Sequence, residues 1–138
     1  MISKLTLIVA IAVLSFFTVS CKRQSTARAG LPPNTIKEFK FQGGTFKDGK
    51  ITVAPGIKVE PGPAKNTVTL MRPNGMPIKV SCFCVIEGGD CWAVSNPISG
   101  GVGVGCADQN CSGEPFCFMD IDDGANGFNI RFAVASRQ

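Results

Sequence analysis

Hydrophobic and polar residues alternate along most of the chain after residue 35, and this period-two pattern predicts β-strands. The clearest case runs from Phe128 to Val134, where every second residue is large and apolar, as in a strand with one buried face. Residues 78–86 show the same alternation, which places Cys82 and Cys84 on one face of a strand. No stretch after the first 21 residues repeats its apolar residues with a helical period, so a long helix is not expected.

Short turns separate these strands. Asp48-Gly49 is predicted to close a hairpin, because both residue types tolerate the positive φ of a type I′ turn. Gly88-Gly89 is expected to reverse the chain again, and the Gly- and Ser-rich residues 95–105 are expected to be flexible or tightly turned. The pattern predicts an all-β fold: a small antiparallel β-sandwich or β-sheet domain over residues 35–138, with a disulfide-rich C-terminal half.

Six of the seven cysteines fall within residues 82–117. An even number of cysteines in a short exported chain normally indicates a disulfide framework. Cys84 and Cys91 are the favoured pair, because the Gly-Gly turn would bring them together, whereas Cys82 cannot easily bond to Cys84 within one strand. The disulfide candidates are Cys82, Cys84, Cys91, Cys106, Cys111 and Cys117.

The same cysteines could instead hold a metal ion or an iron–sulfur cluster. Cys106 and Cys111 have the spacing that opens a plant-type [2Fe–2S] site, but Glu114 stands where the next cysteine is needed. The C-x-x-C pairs common in zinc and redox sites are absent from the sequence. Disulfides are therefore the favoured interpretation, and no cofactor is expected.

The first 20 residues have the features of a secretory signal peptide. Lys4 precedes an apolar run over residues 5–17, which is too short to span a bilayer comfortably but matches a signal h-region. The sequence Thr18-Val19-Ser20-Cys21 follows. It resembles the lipobox of bacterial lipoproteins, with Thr18 where Leu is usual. The resemblance implies cleavage before Cys21 and lipidation of that residue, palmitate included.

The chain is thus predicted to have three parts: a signal peptide (residues 1–20), a flexible tether (residues 21–34) and the β-rich domain. Lys22 is not the Asp that enterobacterial lipoproteins use for retention in the inner membrane. The resemblance therefore points to the outer membrane, on its periplasmic or surface face. An alternative cleavage after Ala29, in an A-x-A sequence, would instead release a soluble protein.

Charged residues are unevenly distributed. Residues 22–80 carry eleven Lys/Arg and three Asp/Glu, whereas residues 81–138 carry two and seven. The basic part could face an anionic membrane, but the favoured interpretation is that basic and acidic strands pair within one sheet. Nucleic acid is not an expected partner, because the chain has an export signal, a single Trp and no interleaving of basic and aromatic residues.

One further cluster has candidate chemistry. Asp120, Asp122, Asp123 and Asn126 could supply oxygen ligands to Ca²⁺. The EF-hand pattern is not met, because Gly124 occupies the fifth loop position and the distal Glu is missing. Asp-Gly and Asn-Gly are also common hairpin residues, so a plain turn is favoured and no metal site is assigned.

The sequence contains no histidine, which excludes Ser-His-Asp and Cys-His catalysis. It also lacks the nucleophile elbow, the P-loop and the zinc-protease motif. No catalysis is inferred. The expected function is binding or structural support at the cell envelope, with the membrane contacted through the lipid anchor and a protein or other envelope component as partner. The alternative is a cysteine-ligated metal or iron–sulfur protein in electron transfer or metal handling.

Overall fold

The computed structural model describes residue 33, residues 36–86 and residues 88–134, and within these ranges it contains strands and no helix. The predicted signal peptide, Cys21 and nearly all of the tether lie outside the described residues. The strands are β1 (Glu38–Phe41), β2 (Gly44–Lys47), β3 (Lys50–Val53), β4 (Lys58–Pro61), β5 (Thr67–Met71), β6 (Pro77–Cys84), β7 (Asp90–Ile98), β8 (Gly101–Gln109), β9 (Cys117–Asp123) and β10 (Phe128–Val134).

The strands form two five-stranded sheets that pack face to face. The first sheet has the order β1-β2-β3-β8-β7, and the second has the order β10-β9-β6-β5-β4. All recorded pairings are antiparallel. The prediction of an all-β antiparallel domain is confirmed, and the architecture is the sandwich rather than the single sheet.

Two turns behave as their residue types predict. Asp48 and Gly49 have φ values of 49° and 81° and join β2 to β3 with Lys47 opposite Lys50, as in a two-residue hairpin with positive φ at both positions. Residues 124–127 form a turn between β9 and β10, so the hairpin interpretation of the acidic cluster is also confirmed.

The prediction for residues 95–105 holds only at the tight turn of residues 99–100 and misses the strands on either side. This segment is the central part of a long hairpin, in which β7 and β8 pair continuously as far as Ile98 opposite Gly101. Glycines alternate with Val102 and Val104 along β8, and Val104 is fully buried. The alternation is therefore a period-two strand pattern in which glycine replaces the polar residue.

The β6–β7 connection carries the chain from one sheet to the other. β6 lies in the second sheet between β9 and β5, whereas β7 is an edge strand of the first sheet and pairs with β8. The Gly88-Gly89 turn therefore does not fold β6 back on itself. As a result, Cys91 faces the second sheet instead of extending a hairpin with Cys84.

The core lies between the sheets and includes an aromatic cluster that joins β1 and β2 to β10. The rings of Phe46 and Phe132 stack across the two sheets with centroids 4.0 Å apart. Phe39 contacts Phe128 edge to face at 5.7 Å. The aromatic cluster consists of Phe39, Phe41, Phe46, Phe128 and Phe132.

The second sheet pairs basic with acidic residues, as the favoured interpretation of the charge distribution predicted. The acidic strand β9 lies between β6 and β10. Lys79 is opposite Asp122, and Arg131 is opposite Asp120. Opposite charges at facing positions favour this strand order.

Candidate functional site

The six cysteines of residues 82–117 come together where β6 and β9 face β7 and β8, and we call them the cysteine cluster. Three are in the second sheet: Cys82 and Cys84 on β6 and Cys117 on β9. The other three come from the facing part of the chain: Cys91 on β7, Cys106 on β8 and Cys111 just after β8. The cluster therefore joins one sheet to the other.

Two disulfides connect β6 of the second sheet to β8 of the first sheet and to the segment just after β8. Cys82 is bonded to Cys106, with Cα atoms 5.7 Å apart. Cys84 is bonded to Cys111, with Cα atoms 5.4 Å apart. Both separations are ordinary for disulfides. The predicted Cys84–Cys91 pair is wrong, because the crossover after β6 places the end of β8 beside Cys84.

Cys91 and Cys117 form the third close pair of the cysteine cluster. Their Sγ atoms are 2.7 Å apart, and the Sγ atom of Cys117 is also 3.9 Å from that of Cys111. The hydrogen bond with Cys117 raises the pKa of the Cys91 thiol well above its ordinary value, and burial raises it further. In the reduced state the Cys91 sulfur is therefore held as a thiol at neutral pH.

The cysteine cluster is also compact enough to ligate a metal ion when it is reduced. The sulfur atoms of Cys91, Cys111 and Cys117 all lie within 4.8 Å of one another, and so do those of Cys82, Cys91 and Cys106. Both triplets include a sulfur that is in a disulfide. Since thiolates are the ligands that metals bind, these triplets offer three ligands only after a disulfide is reduced.

An open groove of about 680 Å³ borders the cysteine cluster. It lies between the β4–β5 turn, the β6–β7 connection and outward-facing residues of β6, β9 and β10. Its volume is within the range of small-ligand sites, about 300–1,000 Å³. Its charged and aromatic lining side chains are those of Lys65, Phe83, Asp90, Phe118 and Arg131.

Aromatic rings and a guanidinium form one wall of the groove. Phe83 and Phe118 are opposite each other on β6 and β9, and both are half-buried. The guanidinium carbon of Arg131 is 5.1 Å from the Phe118 ring centroid and 6.0 Å from that of Phe83, distances at which cations and aromatic faces attract. The wall thus combines apolar surface with a guanidinium that is paired with a carboxylate.

Arg131 is held in place by Asp120. Its Nε and Nη2 atoms donate to the two Asp120 oxygens at 2.6 and 2.7 Å. This bidentate hydrogen bond raises the pKa of Arg131 further above its ordinary value. A planar guanidinium fixed by two parallel bonds presents its remaining N–H groups in a defined direction.

A second charged pair borders the groove near the β4–β5 turn. The Lys65 ammonium is 3.9 Å from an Asp90 carboxylate oxygen and 4.7 Å from the ring centroid of Trp92. Both charged side chains are mostly exposed, at 71% and 74%. They are therefore available to an incoming ligand, because an exposed ion pair holds its partners only weakly.

Of the four candidate calcium ligands, Asp123 and Asn126 contact each other, whereas Asp120 and Asp122 point to the other face of β9. Asp120 and Asp123 lie on opposite faces of β9, because side chains alternate along a strand. Asp120 is occupied by Arg131, and Asp122 is exposed. Asp123 accepts two hydrogen bonds from Asn126, at 3.2 and 2.7 Å. The carboxylates are thus engaged separately, Asp120 by Arg131 and Asp123 by Asn126.

Asp123 instead forms a buried ion pair with Arg72. Burial alone would raise the pKa of Asp123, but hydrogen bonds from Asn126 and Arg72 outweigh it and hold the pKa below its ordinary value. Asp123 therefore has a structural role: its buried carboxylate holds both the turn and Arg72 in place.

The sequence analysis did not identify the residues of the groove. In the sequence, Phe83 is one of the residues that alternate with cysteines over residues 78–86, and Lys65 is one of eleven Lys/Arg in residues 22–80. One usable signal is present: Phe83 and Phe118 each adjoin an inward-facing cysteine, so period two places both rings on the outer face. Arg131 and Lys65 carry no local signal, because their partners are distant in sequence.

Comparisons with known proteins give no family assignment. A scan against protein-family models found no match, and searches of curated proteins and of solved structures returned no similar chain. Among the described residues there is no helix with the length and apolarity needed to cross a membrane.

Proposed function

We propose that this protein is an exported, lipid-anchored β-sandwich that binds a protein or another envelope component, without catalysis, at the outer membrane. The observation that carries the proposal is the groove. It brings aromatic surface and charges of both signs together in one open cavity, as binding sites do.

The surroundings of the groove favour binding. The two disulfides lie directly beside it, so its wall is held in shape before a ligand arrives. Such preorganisation reduces the entropy lost on binding. Phe83 and Phe118 would contact apolar groups of the ligand, and the exposed Lys65 and Asp90 would contact its polar groups.

The N-terminal residues support the envelope location. The resemblance of Thr18-Val19-Ser20-Cys21 to a lipobox implies a lipid anchor on Cys21, and residues 21–34 would connect that anchor to the sandwich. Three acyl chains would give firm attachment, whereas a single chain binds membranes only marginally.

Metabolic labelling tests the anchor. Cells that express the full chain are grown with a labelled fatty acid, and the protein is then isolated. The unmutated chain is expected to carry label, and Cys21→Ser is expected to carry none. An unlabelled wild-type protein would overturn the anchor and favour cleavage after Ala29.

Sedimentation with isolated cell envelopes tests the groove. The variants are made in a Cys21→Ser background, so that lipid does not contribute to binding. Lys65→Glu reverses a charge at the groove and is expected to lower the bound fraction several-fold. Phe118→Ala, which removes part of the aromatic wall, is expected to act in the same direction.

Lys47→Glu is the matched control for Lys65→Glu. Lys47 is exposed to a similar degree and also forms a surface ion pair, 3.7 Å from Glu38, but it does not line the groove. Equal binding by all of these variants would contradict the assignment of the groove as the binding site.

The cysteine triplets favour a second candidate, metal handling or electron transfer. A protein of this kind would be isolated with reduced cysteines and a bound ion. Elemental analysis and the absorption spectrum of the native protein decide between the two functions, because thiolate-bound iron absorbs visible light and a disulfide protein does not.

A further inference from the structure

Cys91 and Cys117 lie close together next to the groove and are not bonded to each other in the structure. The Sγ atoms of Cys91 and Cys117 are 2.7 Å apart, whereas a disulfide requires about 2.0 Å. Closing the bond needs a shift of under about 1 Å, which rotation of the side chains can supply. Cys91 lies on β7 and Cys117 on β9, so the two cysteines belong to different sheets, as Cys82 and Cys106 do.

We propose that Cys91 and Cys117 form a third disulfide, which joins the two sheets, and that this bond fixes β7 as a wall of the groove. Formation requires an oxidant, which we take to be a disulfide-bonded donor such as oxidised glutathione. Cys91 loses its proton and attacks one donor sulfur, and the other donor sulfur leaves as a thiol. Cys117 then loses its proton and attacks the Cys91 sulfur, which releases the second donor thiol. Two electrons pass from the cysteines to the donor.

The location of β7 explains why the third bond matters. β7 is the edge strand of the first sheet, and its recorded strand partner is β8 alone. Its first residues, Asp90 and Cys91, line the groove. The two existing disulfides reach β8 and the segment that follows it, but neither attaches β7. A bond from Cys91 to Cys117 would tie this wall directly to β9.

The environment of the pair suits a structural bond better than a catalytic dithiol. Redox catalysts use an accessible cysteine with a lowered pKa. The hydrogen bond with Cys117 and partial burial act in the opposite direction on the pKa of Cys91, and Cys117 is fully buried. Once formed, the bond is therefore expected to persist.

Thiol counting tests the bond. The full chain is recovered from cell envelopes and unfolded in acidic denaturant, and free thiols among the six cysteines of the cluster are labelled and counted by mass spectrometry. We expect no free thiol in the wild type and one in either Cys91→Ser or Cys117→Ser. Without the third bond, the count would instead fall from two in the wild type to one in each variant, which would overturn the proposal.

Peptide mapping of the unmutated protein tests the pairing without relying on a variant that folds. Proteolysis after aromatic and acidic residues separates all six cysteines, because such a residue lies between each neighbouring pair in sequence. We expect Cys91 and Cys117 in one disulfide-linked product. Products that link Cys84 to Cys91 and Cys111 to Cys117 would overturn the proposal. The separating residues are Phe83, Glu87, Trp92, Asp108 and Phe116.

The effect on the groove rests on the proposed function and is measured separately. The Cys91→Ser variant is expected to bind isolated envelopes several-fold less than the wild type, both in the Cys21→Ser background. If mapping finds the bond but Cys91→Ser binds envelopes as well as the wild type does, the bond exists and its proposed role in the groove is overturned. If the wild type itself fails to bind envelopes, the proposed function fails, and the mapping result stands on its own.

Discussion

The two sheets are joined in two chemically different ways. The aromatic cluster joins β1 and β2 to β10 through packed rings, and Phe46 and Phe132 are almost fully buried there. The cysteine cluster joins β6 to β8 and to the segment after β8 through two disulfides, and the proposed Cys91–Cys117 bond would join β7 to β9. The side with the rings stays together without covalent bonds, whereas β7 has only half-buried or exposed side chains to hold it.

This difference indicates where the domain can support a binding site. Packed rings leave little open space, because protein interiors are close-packed. Disulfides hold strands together without filling the volume between them, so an open groove can persist beside the cysteine cluster. A domain of this size has a modest core, and disulfides replace part of the packing that the groove removes.

The largest expected effect comes from breaking the aromatic cluster. Phe132→Ala removes a ring that is 1% exposed and stacks on Phe46, so the free energy of unfolding should fall by about 3–5 kcal/mol. Urea unfolding of the oxidised protein measures it. Phe132→Leu is the matched control and should cost less, because it keeps most of the buried volume. A loss below about 1 kcal/mol for Phe132→Ala would contradict the role given to the rings.

Breaking one disulfide should have a slightly smaller effect. The Cys82→Ala/Cys106→Ala variant removes a bond between residues 24 apart in sequence, for which chain entropy gives about 3.5 kcal/mol. The same urea measurement, made with and without reductant, checks it. The variant should also lose less stability than the wild type when reductant is added, and equal losses would contradict the prediction.

Removing the buried carboxylate should cost about 3 kcal/mol at neutral pH, because Asp123→Asn leaves Arg72 buried without its counter-charge. Asp122→Asn is the matched control. Asp122 is the exposed neighbour on the same strand, so this variant should change stability by less than about 0.5 kcal/mol. Equal effects of the two substitutions would contradict the structural role of Asp123.

The Asp123 contribution should also depend on pH. Its pKa is lower in the folded protein than the ordinary value of about 3.9 expected in the unfolded chain. The contribution is therefore complete above about pH 4 and is lost as the pH falls through the folded-state pKa. The stability difference between wild type and Asp123→Asn should shrink in acid, and a difference that grows there would have the wrong sign.

The smallest expected effect is at the rim of the groove. Lys65→Ala should change the free energy of unfolding by less than about 1 kcal/mol, because its ion pair and ring contact are exposed. It should nevertheless shift the fluorescence of Trp92, the only tryptophan of the chain. Lys47→Ala should leave that fluorescence unchanged. A shift with Lys47→Ala but not with Lys65→Ala would contradict the contact.

Local patterns predicted the fold well. The alternation in residues 128–134 and the Asp48-Gly49 turn each depend on neighbouring residues, and the structure confirms both. The inward direction of Cys82 also follows from the alternation. The same alternation does not predict the strands in residues 95–105, because glycine occupies the positions that polar residues usually hold.

The candidate site was harder to predict because its contacts are long-range. Cys84 bonds to Cys111, 27 residues away, since the chain crosses to the other sheet after β6. No local signal specifies that crossing. The contact of Arg131 with Phe83 likewise depends on the order of β6, β9 and β10 in the sheet, which alternation alone does not determine.

Hydrogen exchange with and without reductant tests the central claim most directly, namely that one side of the sandwich is held by disulfides and the other by packing. Under mild reduction, amides of β7 and β8 should lose more protection than those of β2 and β10, because the aromatic cluster keeps its contacts. Equal loss of protection in all four strands, or no loss in β7 and β8, would contradict the account.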